Sequence, residues 1–210
     1  MKRLCVVIFI ILSLTMMLYT TVPAATKVLR LSHQWAQGDI RDQWARKWAS
    51  LVEEKTKGSI KFEIYPAASL FKAKAQFDAM RRGALDVCVL HHIYLTGKIP
   101  AMAITSMPCL VRSSAQGARW SKHEIGRRLE ELCVKNGFRT VSWGSIMGGI
   151  GSKKRPIIVP EDMKGMKMRG AGKAMEQMMH AGGAAITSMP STEVYFALQT
   201  GSLDALTTTY

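Results

Sequence analysis

The sequence predicts an α/β protein with mixed, largely parallel sheets, built as two lobes. Segments that alternate polar and apolar residues recur along the chain, and segments with helical spacing separate them, which is typical of βα units. A glycine-rich stretch at 144–151, followed by Pro156, indicates a boundary between lobes. We therefore predict a first α/β lobe over residues 25–146 and a second over residues 147–210.

Residues 1–24 have the pattern of a secretory signal peptide. Two basic residues are followed by a nearly unbroken apolar run over 5–18, and Val22 and Ala24 place small residues before a cleavage point. The alternative is an N-terminal membrane anchor, but the run is short for a hydrocarbon core of ~30 Å. We therefore predict cleavage after Ala24 and export from the cytoplasm.

The first lobe begins with alternating strands and helices. The apolar residues of 40–55 fall at helical spacing, Asp39 can cap this helix, and 85–90 is the apolar run of a strand buried on both faces. An irregular stretch at 96–112 then leads to one long helix that ends at Gly137. The predicted strands are 27–32, 59–65, 85–90 and 139–143, and the predicted helices are 40–55, 73–82 and 114–136.

The second lobe follows a loose glycine-rich stretch over 144–151. Short apolar runs again alternate with helical segments, and the last strand begins only a few residues before the sequence stops. The predicted strands are 167–169, 184–189 and 203–206, and the predicted helices are 173–180 and 192–200. Because an α/β unit normally returns through a helix that covers its sheet, we expect this lobe to be incomplete.

Composition and motifs exclude several classes of function. Apolar residues make up 48% of the chain, which excludes a disordered protein. The formal charge is +14, or +12 without the two basic residues of 1–24, but the basic residues are scattered and no nucleic-acid motif appears. His91 and His92 are adjacent, so on a strand they point to opposite faces and cannot share a metal. No nucleophile elbow and no phosphate-binding loop is present.

Three cysteines remain after the predicted cleavage, namely Cys88, Cys109 and Cys133. An odd number cannot pair completely, and no C-x-x-C motif is present. An exported compartment permits one disulfide, whose pairing the spacing does not decide. Three buried or half-buried thiols are the favoured interpretation.

A cleft between two lobes suits a small organic anion, and Arg169 is the candidate cation. It ends the strand at 167–169 and precedes Gly170 and Gly172, so its side chain lies where a ligand can approach. A planar guanidinium donates two parallel hydrogen bonds to a carboxylate. The alternative is an ordinary surface arginine.

Several segments occur in an order and spacing that resemble one family. They are LVEEKT at 51–56 with Gly58, Tyr65 with Pro66, RGALD at 82–86, KRPIIVPEDMKGMKMR at 154–169 and EVYFALQTGSLD at 193–204. Together they resemble the extracytoplasmic solute-binding subunit of TRAP transporters, the dicarboxylate-binding DctP-like family. The resemblance covers nearly the whole chain after residue 24.

The resemblance implies a periplasmic-binding-protein-like, two-lobed fold and a receptor function. Such a receptor would capture a small organic acid in the periplasm and deliver it to TRAP permease subunits in the inner membrane, without catalysis, metal, cofactor or nucleic acid. Arg169 stands at the family's carboxylate-pairing position. Further pocket candidates by position, of which a Trp or Met could equally be core, are Gln34, Trp35, Trp143, Met147 and Thr208.

The chain also departs from the family pattern. Gly148 stands near the place of a second arginine, Cys109 replaces a phenylalanine and Ala205 replaces a glycine, so the sialic-acid-like and simple dicarboxylate patterns are poorly supported. Family members are longer, and the resemblance implies that part of the second lobe is missing at the C-terminus. The alternative to a working receptor is a truncated, non-functional or unstable fragment.

Overall fold

The computed structural model describes residues 25–209. The predicted signal peptide at 1–24 therefore lies outside the described residues. Within them, strands and helices alternate from the N-terminal end. The strands are β1 (Lys27–His33), β2 (Ile60–Tyr65), β3 (Val87–Val89), β4 (Gly148–Ser152), β5 (Lys167–Gly170), β6 (Ala185–Ser188) and β7 (Ala205–Thr209). The α-helices are α1 (Ile40–Lys55), α2 (Ala73–Arg81), α3 (Ser114–Trp120), α4 (Glu124–Lys135), α5 (Lys173–Ala181) and α6 (Ser191–Gln199). Among these helices none is long and apolar enough to cross a membrane.

The first sheet is entirely parallel, in the order β2-β1-β3. Its central strand pairs Leu31 with Ile64 on one side and with Val87 on the other. Helix α1 has the predicted bounds and the predicted cap, because the side chain of Asp39 accepts a hydrogen bond from the backbone of Arg41. The core of this part is formed by Phe77, Leu95, Ile99, Met102, Leu129 and Cys133.

The second sheet has the order β4-β7-β5-β6 and is mixed. Strand β5 is parallel to β6 and to β7, whereas β4 runs antiparallel to β7. Its core is rich in methionine and consists of Met163, Met166, Met168, Met179, Ala184 and Ala205. The predicted α/β class with mixed, largely parallel sheets is therefore confirmed, while the boundary at 146/147 stays a prediction.

The helix predicted over 114–136 is two helices, α3 and α4. The chain turns at 121–123, where the backbone of His123 is extended. Gly126 explains how tightly the second helix folds back, because a Cβ added there would lie 2.0 Å from the carbonyl oxygen of Trp120. The apolar pattern continues across the break, so periodicity alone did not reveal it.

The strand predicted at 139–143 is wrong. The backbone N–H of Thr140 donates to Glu130 Oε2 at 3.0 Å, and the Thr140 hydroxyl contacts Cys133 Sγ at 3.7 Å. A contact with α4 thus takes a backbone donor that a neighbouring strand would use, and Val141 is exposed. The segment runs to β4 without regular structure.

The glycine-rich stretch is partly a strand rather than a loose loop. β4 pairs with β7 from Gly148 opposite Thr209 to Ser152 opposite Ala205. A Cβ on Gly148 would lie 3.4 Å from the backbone oxygen of Thr208. Three glycines in five residues leave no alternation of side chains to detect, so the pattern that predicts strands was missing.

The three cysteines of residues 25–209 are all unpaired. Cys133 is buried and Cys88 is half-buried, in agreement with the favoured interpretation of three thiols. Burial raises the pKa of Cys88 to about 12. Cys109 departs from that interpretation because it is exposed.

Candidate functional site

Arg169 lies buried near the C-terminal end of β5, with 2% of its surface exposed. Its Nε donates to the backbone oxygen of Met189 at 2.9 Å, and its Nη1 donates to that of Thr207 at 2.9 Å. Met189 directly follows β6, and Thr207 belongs to β7. The guanidinium is therefore held from the strands on both sides of β5. The side chain does not point into bulk solvent as a surface arginine would.

The free end of the same guanidinium faces the first lobe. Arg169 Nη2 is 3.5 Å from Tyr94 Oη, which lies in the 3-10 turn after β3. A guanidinium has five N–H donors, and these three contacts leave one on Nη1 and one on Nη2. Among residues 25–209 no carboxylate forms an ion pair with Arg169. The two remaining donors match an end-on pair of hydrogen bonds to a carboxylate.

Glycines allow the backbone to turn sharply behind Arg169. A Cβ on Gly170 would meet Glu176 Cγ at 2.2 Å, and one on Gly172 would meet Ile93 Cγ1 at 2.1 Å. The first contact brings α5 close to the end of β5. The second brings the start of α5 against the first lobe, next to Tyr94. Any larger residue at either glycine would push apart elements that surround the site.

Gln34 directly follows β1 at the carboxyl end of the first sheet. It is 5% exposed, and its Oε1 is buried without a hydrogen-bond partner among the described residues. A buried amide oxygen without a donor is unusual and costs free energy unless a ligand or water satisfies it. The preceding residue, His33, anchors the segment because it is fully buried in β1.

A buried network fixes the loop that carries Gln34. His33 Nε2 lies 3.1 Å from Asp42 Oδ1, and Asp42 Oδ2 accepts from the Gly38 backbone at 2.8 Å and from Arg46 Nε at 3.0 Å. Burial lowers the pKa of His33 in spite of Asp42. Burial alone would raise the pKa of Asp42, but the hydrogen bonds from Arg46 and Gly38 hold it below its usual value.

Trp35 supports a second arginine, Arg41, at the start of α1. The guanidinium carbon is 4.9 Å from the centre of the Trp35 ring. Asp39 grips the same guanidinium with both oxygens, at 2.7 Å from Nε and 2.6 Å from Nη2. Arg41 Nη1 donates to Thr209 Oγ1 at 3.1 Å, which forms a further contact between the two lobes.

Two histidines complete the first-lobe side. His91 Nδ1 accepts from the backbone N–H of Ile93 at 3.3 Å, so its proton lies on Nε2. Burial, with a further contribution from His92, Arg169 and Arg41, lowers the pKa of His91 to about 4. His91 is therefore neutral at neutral pH, and it lies within the electrostatic reach of both arginines.

The structure brings only some of the predicted residues together. Arg169 lies at the contact between the lobes, Gln34 and Trp35 lie at the end of β1, and Trp143 packs edge-on against His92 with ring centres 4.9 Å apart. Met147 is half-buried just before β4. Thr208 is exposed, because β7 turns the side chain of the buried Thr207 rather than that of Thr208 toward Arg169. Residue alternation along the strand accounts for this difference of one position.

Sequence reasoning missed four polar residues of this region, which are Arg41, His91, Tyr94 and Thr207. A usable signal existed for two of them. Ligands of α/β folds bind beyond the carboxyl ends of parallel strands, and His91 and Tyr94 closely follow β3. His91 and His92 were considered only as metal ligands, so their place at the carboxyl end of the first sheet was overlooked.

A separate open hollow of about 890 Å³ lies along α4. Its wall includes Arg127, which forms ion pairs with Glu124 and Glu131, and it reaches Trp143. Arg169 is not part of this wall. The hollow is a charged surface depression and not the contact region between the lobes.

Residues 31–210 match the family described as "Bacterial extracellular solute-binding protein, family 7". A solute-binding protein of Albidiferax ferrireducens is 42% identical over 190 residues, which are 88% of this chain and 56% of that protein. The C4-dicarboxylate-binding periplasmic protein DctP of Rhodobacter capsulatus is 29% identical over 189 residues, or 88% of this chain and 56% of that protein. The chain thus spans a little over half the length of these relatives.

Solved structures show the same similarity in three dimensions. A TRAP periplasmic solute-binding protein from Rhodoferax ferrireducens with bound malonate superposes with a TM-score of 0.81 at 40% identity, covering 86% of this chain and 59% of that one. A TRAP periplasmic solute-binding protein from Sulfurospirillum deleyianum with bound succinate gives 0.80 at 25% identity, covering 87% and 60%.

Proposed function

Because the chain belongs to the bacterial extracellular solute-binding protein family 7, we propose that it captures a small organic acid and delivers it to a TRAP permease. The family resemblance found in the sequence is confirmed by this membership. The single observation that carries the proposal is the buried guanidinium of Arg169, held by two carbonyls and unpaired with any carboxylate among residues 25–209.

In the proposed complex, the ligand carboxylate accepts the two remaining N–H donors of Arg169. Both Arg169 carbonyl contacts keep the fork fixed before the ligand arrives, so little side-chain freedom is lost on binding. The ligand would lie where Arg169 approaches Tyr94 and Arg41 approaches Thr209, so that binding favours closure of one lobe on the other. The positive charge of the chain would speed the capture of anions.

Known ligands of similar proteins support an organic acid. Malonate and succinate are bound in the two structures named above, and a glucuronate-bound TRAP periplasmic solute-binding protein from Chromohalobacter salexigens is 25% identical with a TM-score of 0.80. These ligands belong to those proteins. They share a carboxylate, which is the group that we assign to Arg169 here.

We assign the receptor to the periplasm and give it no enzymatic role. Export would follow from the predicted signal peptide at 1–24, and the partners would be TRAP permease subunits in the inner membrane. The proposed role of Arg169 is to hold a ligand and not to react with it.

The second candidate is a non-functional chain that is unstable or does not bind by itself. Exposed apolar side chains in the second lobe favour it, because Tyr195 and Phe196 on α6 are 74% and 70% exposed and Ile158 is 84% exposed. A cooperative melt of residues 25–210 in circular dichroism would contradict this candidate.

The decisive experiment replaces the guanidinium. We expect Arg169→Ala to weaken the binding of an organic acid by at least ~30-fold in isothermal titration calorimetry, because the anion loses its buried charged partner. Arg112→Ala, at an exposed arginine, is the matched control and should leave affinity unchanged. Circular dichroism melts of all three proteins must show folded samples. Unaltered affinity in a folded Arg169→Ala variant would refute the assignment.

A further inference from the structure

The 3-10 turn after β3 joins the first lobe to the surroundings of Arg169. His91 begins this turn, and its backbone oxygen accepts from the N–H of Tyr94 at 3.0 Å. Tyr94 Oη lies 3.5 Å from Arg169 Nη2, and a Cβ on Gly172 would lie 2.1 Å from Ile93 Cγ1. The turn that His91 starts is therefore the part of the first lobe that contacts β5 and the start of α5.

The side chain of His91 caps this turn. Its Nδ1 accepts from the backbone N–H of Ile93, with 3.3 Å between the two nitrogens. Only a ring without a proton on Nδ1 can accept this bond. In the imidazolium both ring nitrogens are donors, so a proton taken up by His91 would place a donor against the Ile93 N–H and remove the cap.

A positive charge on His91 would also meet other positive groups. Those that act on it are His92 in the same turn, Arg169 on β5 and Arg41 on α1. The neighbouring 3-10 helix, Pro100–Ser106, carries no charged side chain. Protonation would therefore add a cation to a region that already contains two guanidinium groups.

The carboxylates nearby do not offset such a charge. None of them forms a hydrogen bond or an ion pair with His91 within residues 25–209. Asp39 grips the guanidinium at the start of α1, Asp78 on α2 pairs with a lysine, and Glu176 on α5 packs against the end of β5. Lys173, at the exposed start of α5, adds a further positive charge.

From this arrangement we infer that His91 is an acid-sensitive switch of the contact between the lobes. While its ring is neutral, the turn stays capped and docked on the second lobe. A proton on the ring would remove the cap and repel Arg169 across the contact, and separation of the lobes would relieve that repulsion and rehydrate the ring. This regulation goes beyond the proposed function, because it needs no ligand.

The other buried histidines lack this combination. His33 Nε2 lies 3.1 Å from Asp42 Oδ1, a partner that would stabilise a charge on that ring. His92 packs edge-on against Trp143, and burial alone lowers its pKa. Burial and the neighbouring charges lower the pKa of His91 to about 4, so the contact stays docked at neutral pH.

Small-angle X-ray scattering of ligand-free residues 25–210 tests the switch, with circular dichroism to show where the protein stays folded. We expect the radius of gyration to increase on acidification, with a midpoint between about pH 4 and about pH 6.5. His91→Asn keeps an acceptor for Ile93 but takes up no proton, so its radius should stay constant. His123→Asn, at an exposed histidine, is the matched control and should expand like the wild type. Unfolding without earlier expansion, or equal expansion in His91→Asn, would overturn the inference.

Nuclear magnetic resonance gives a second readout, which a merely structural role of His91 would not produce. The backbone amides of Ile93 and Gly172, on the two sides of the contact, should shift with the same midpoint as the His91 ring. Arg169→Met removes the opposing charge, so this midpoint should rise by about one pH unit. Different wild-type midpoints, or an unchanged midpoint in a folded Arg169→Met variant, would contradict the switch. The wild-type midpoints decide the question even if a variant fails to fold.

The outcomes separate the switch from the proposed function, because no ligand enters either experiment. If His91 titrates without any change at Gly172, the switch is wrong and the receptor function stands. If the two change together in a protein that binds no organic acid, the switch is supported and the receptor function fails.

Discussion

Individual residues of this protein carry out two opposite electrostatic tasks. The guanidinium of Arg169 is buried, and two carbonyl oxygens partly replace the water that it loses there. His33, His91 and His92 instead remain neutral, because burial disfavours their charged forms and lowers their pKa values. The folded state thus selects which groups carry charge at the contact between the lobes.

This selection predicts how stability depends on pH. Below pH 6.5 the unfolded chain protonates its histidines, while the folded pKa of His91 is about 4. The unfolded state therefore binds more protons in the window between these values, so stability falls as the pH falls through it. We expect a loss of about 1 kcal/mol from His91 between about pH 7.5 and about pH 5.5, with smaller losses from the other two histidines.

Urea denaturation at constant ionic strength measures this effect. His91→Asn should reduce the pH dependence, whereas His123→Asn, at an exposed histidine, should leave it unchanged. Stability that stays flat or rises on acidification over this window would contradict the predicted neutral state of His91.

At the residue scale, the sequence alone identified Arg169 as a candidate but did not identify the residues around it. A guanidinium at the end of a strand and before two glycines is a local pattern that can be read directly. Thr207 depends instead on which face β7 turns inward, and this is fixed by pairing with β4 and β5. That pairing is not visible in five residues of sequence.

At the scale of elements, glycine decides the two largest differences from the predicted structure. Gly126 lets α4 begin directly against the end of α3, and the glycines of β4 let that strand pair without a visible alternation. Helix α1 and β5, in contrast, were predicted close to their observed positions. Their caps and apolar runs agree with their tertiary contacts, so local reasoning placed them correctly.

The contact at Gly126 can be tested by a single methyl group. In a free helix, alanine would stabilise relative to glycine, but here the Cβ would lie 2.0 Å from the backbone oxygen of Trp120. We expect Gly126→Ala to lower the free energy of unfolding by about 1–3 kcal/mol, because backbone must shift. Gly144→Ala has nothing within 4 Å of the added Cβ and should be close to neutral. Equal denaturation midpoints for both variants would count against this packing.

At the scale of the whole molecule, a few contacts join the elements around the first sheet to those around the second. Arg41 reaches Thr209, Arg169 reaches Tyr94, and the start of α5 lies against Ile93. None of these contacts could be predicted from sequence, since each joins segments that are far apart in the chain. The sequence supplied the two-lobed class, and the positions of the contacts come only from the folded chain.

Removing one of these bonds should loosen closure without affecting folding. Thr209→Val keeps the shape of the side chain but removes the acceptor for Arg41, so we expect ligand affinity to fall about 2–10-fold. Small-angle X-ray scattering should show a larger radius of gyration in the ligand-free variant. Thr208→Val, on the exposed face of the same strand, serves as the control. Identical affinity and scattering for the two variants would refute a role in closure.

Strand β7 places Thr207 against Arg169 and Thr209 against Arg41, with one residue between them. The contacts of both arginines therefore depend on which residues of β7 face inward. Substitutions at the outward-facing Thr208 should be tolerated. The insertion or deletion of one residue between Asp204 and Thr209 would instead turn every later side chain of the strand to the opposite face. Relatives that diverge in this stretch should do so by exchange of amino acids and not by change of length.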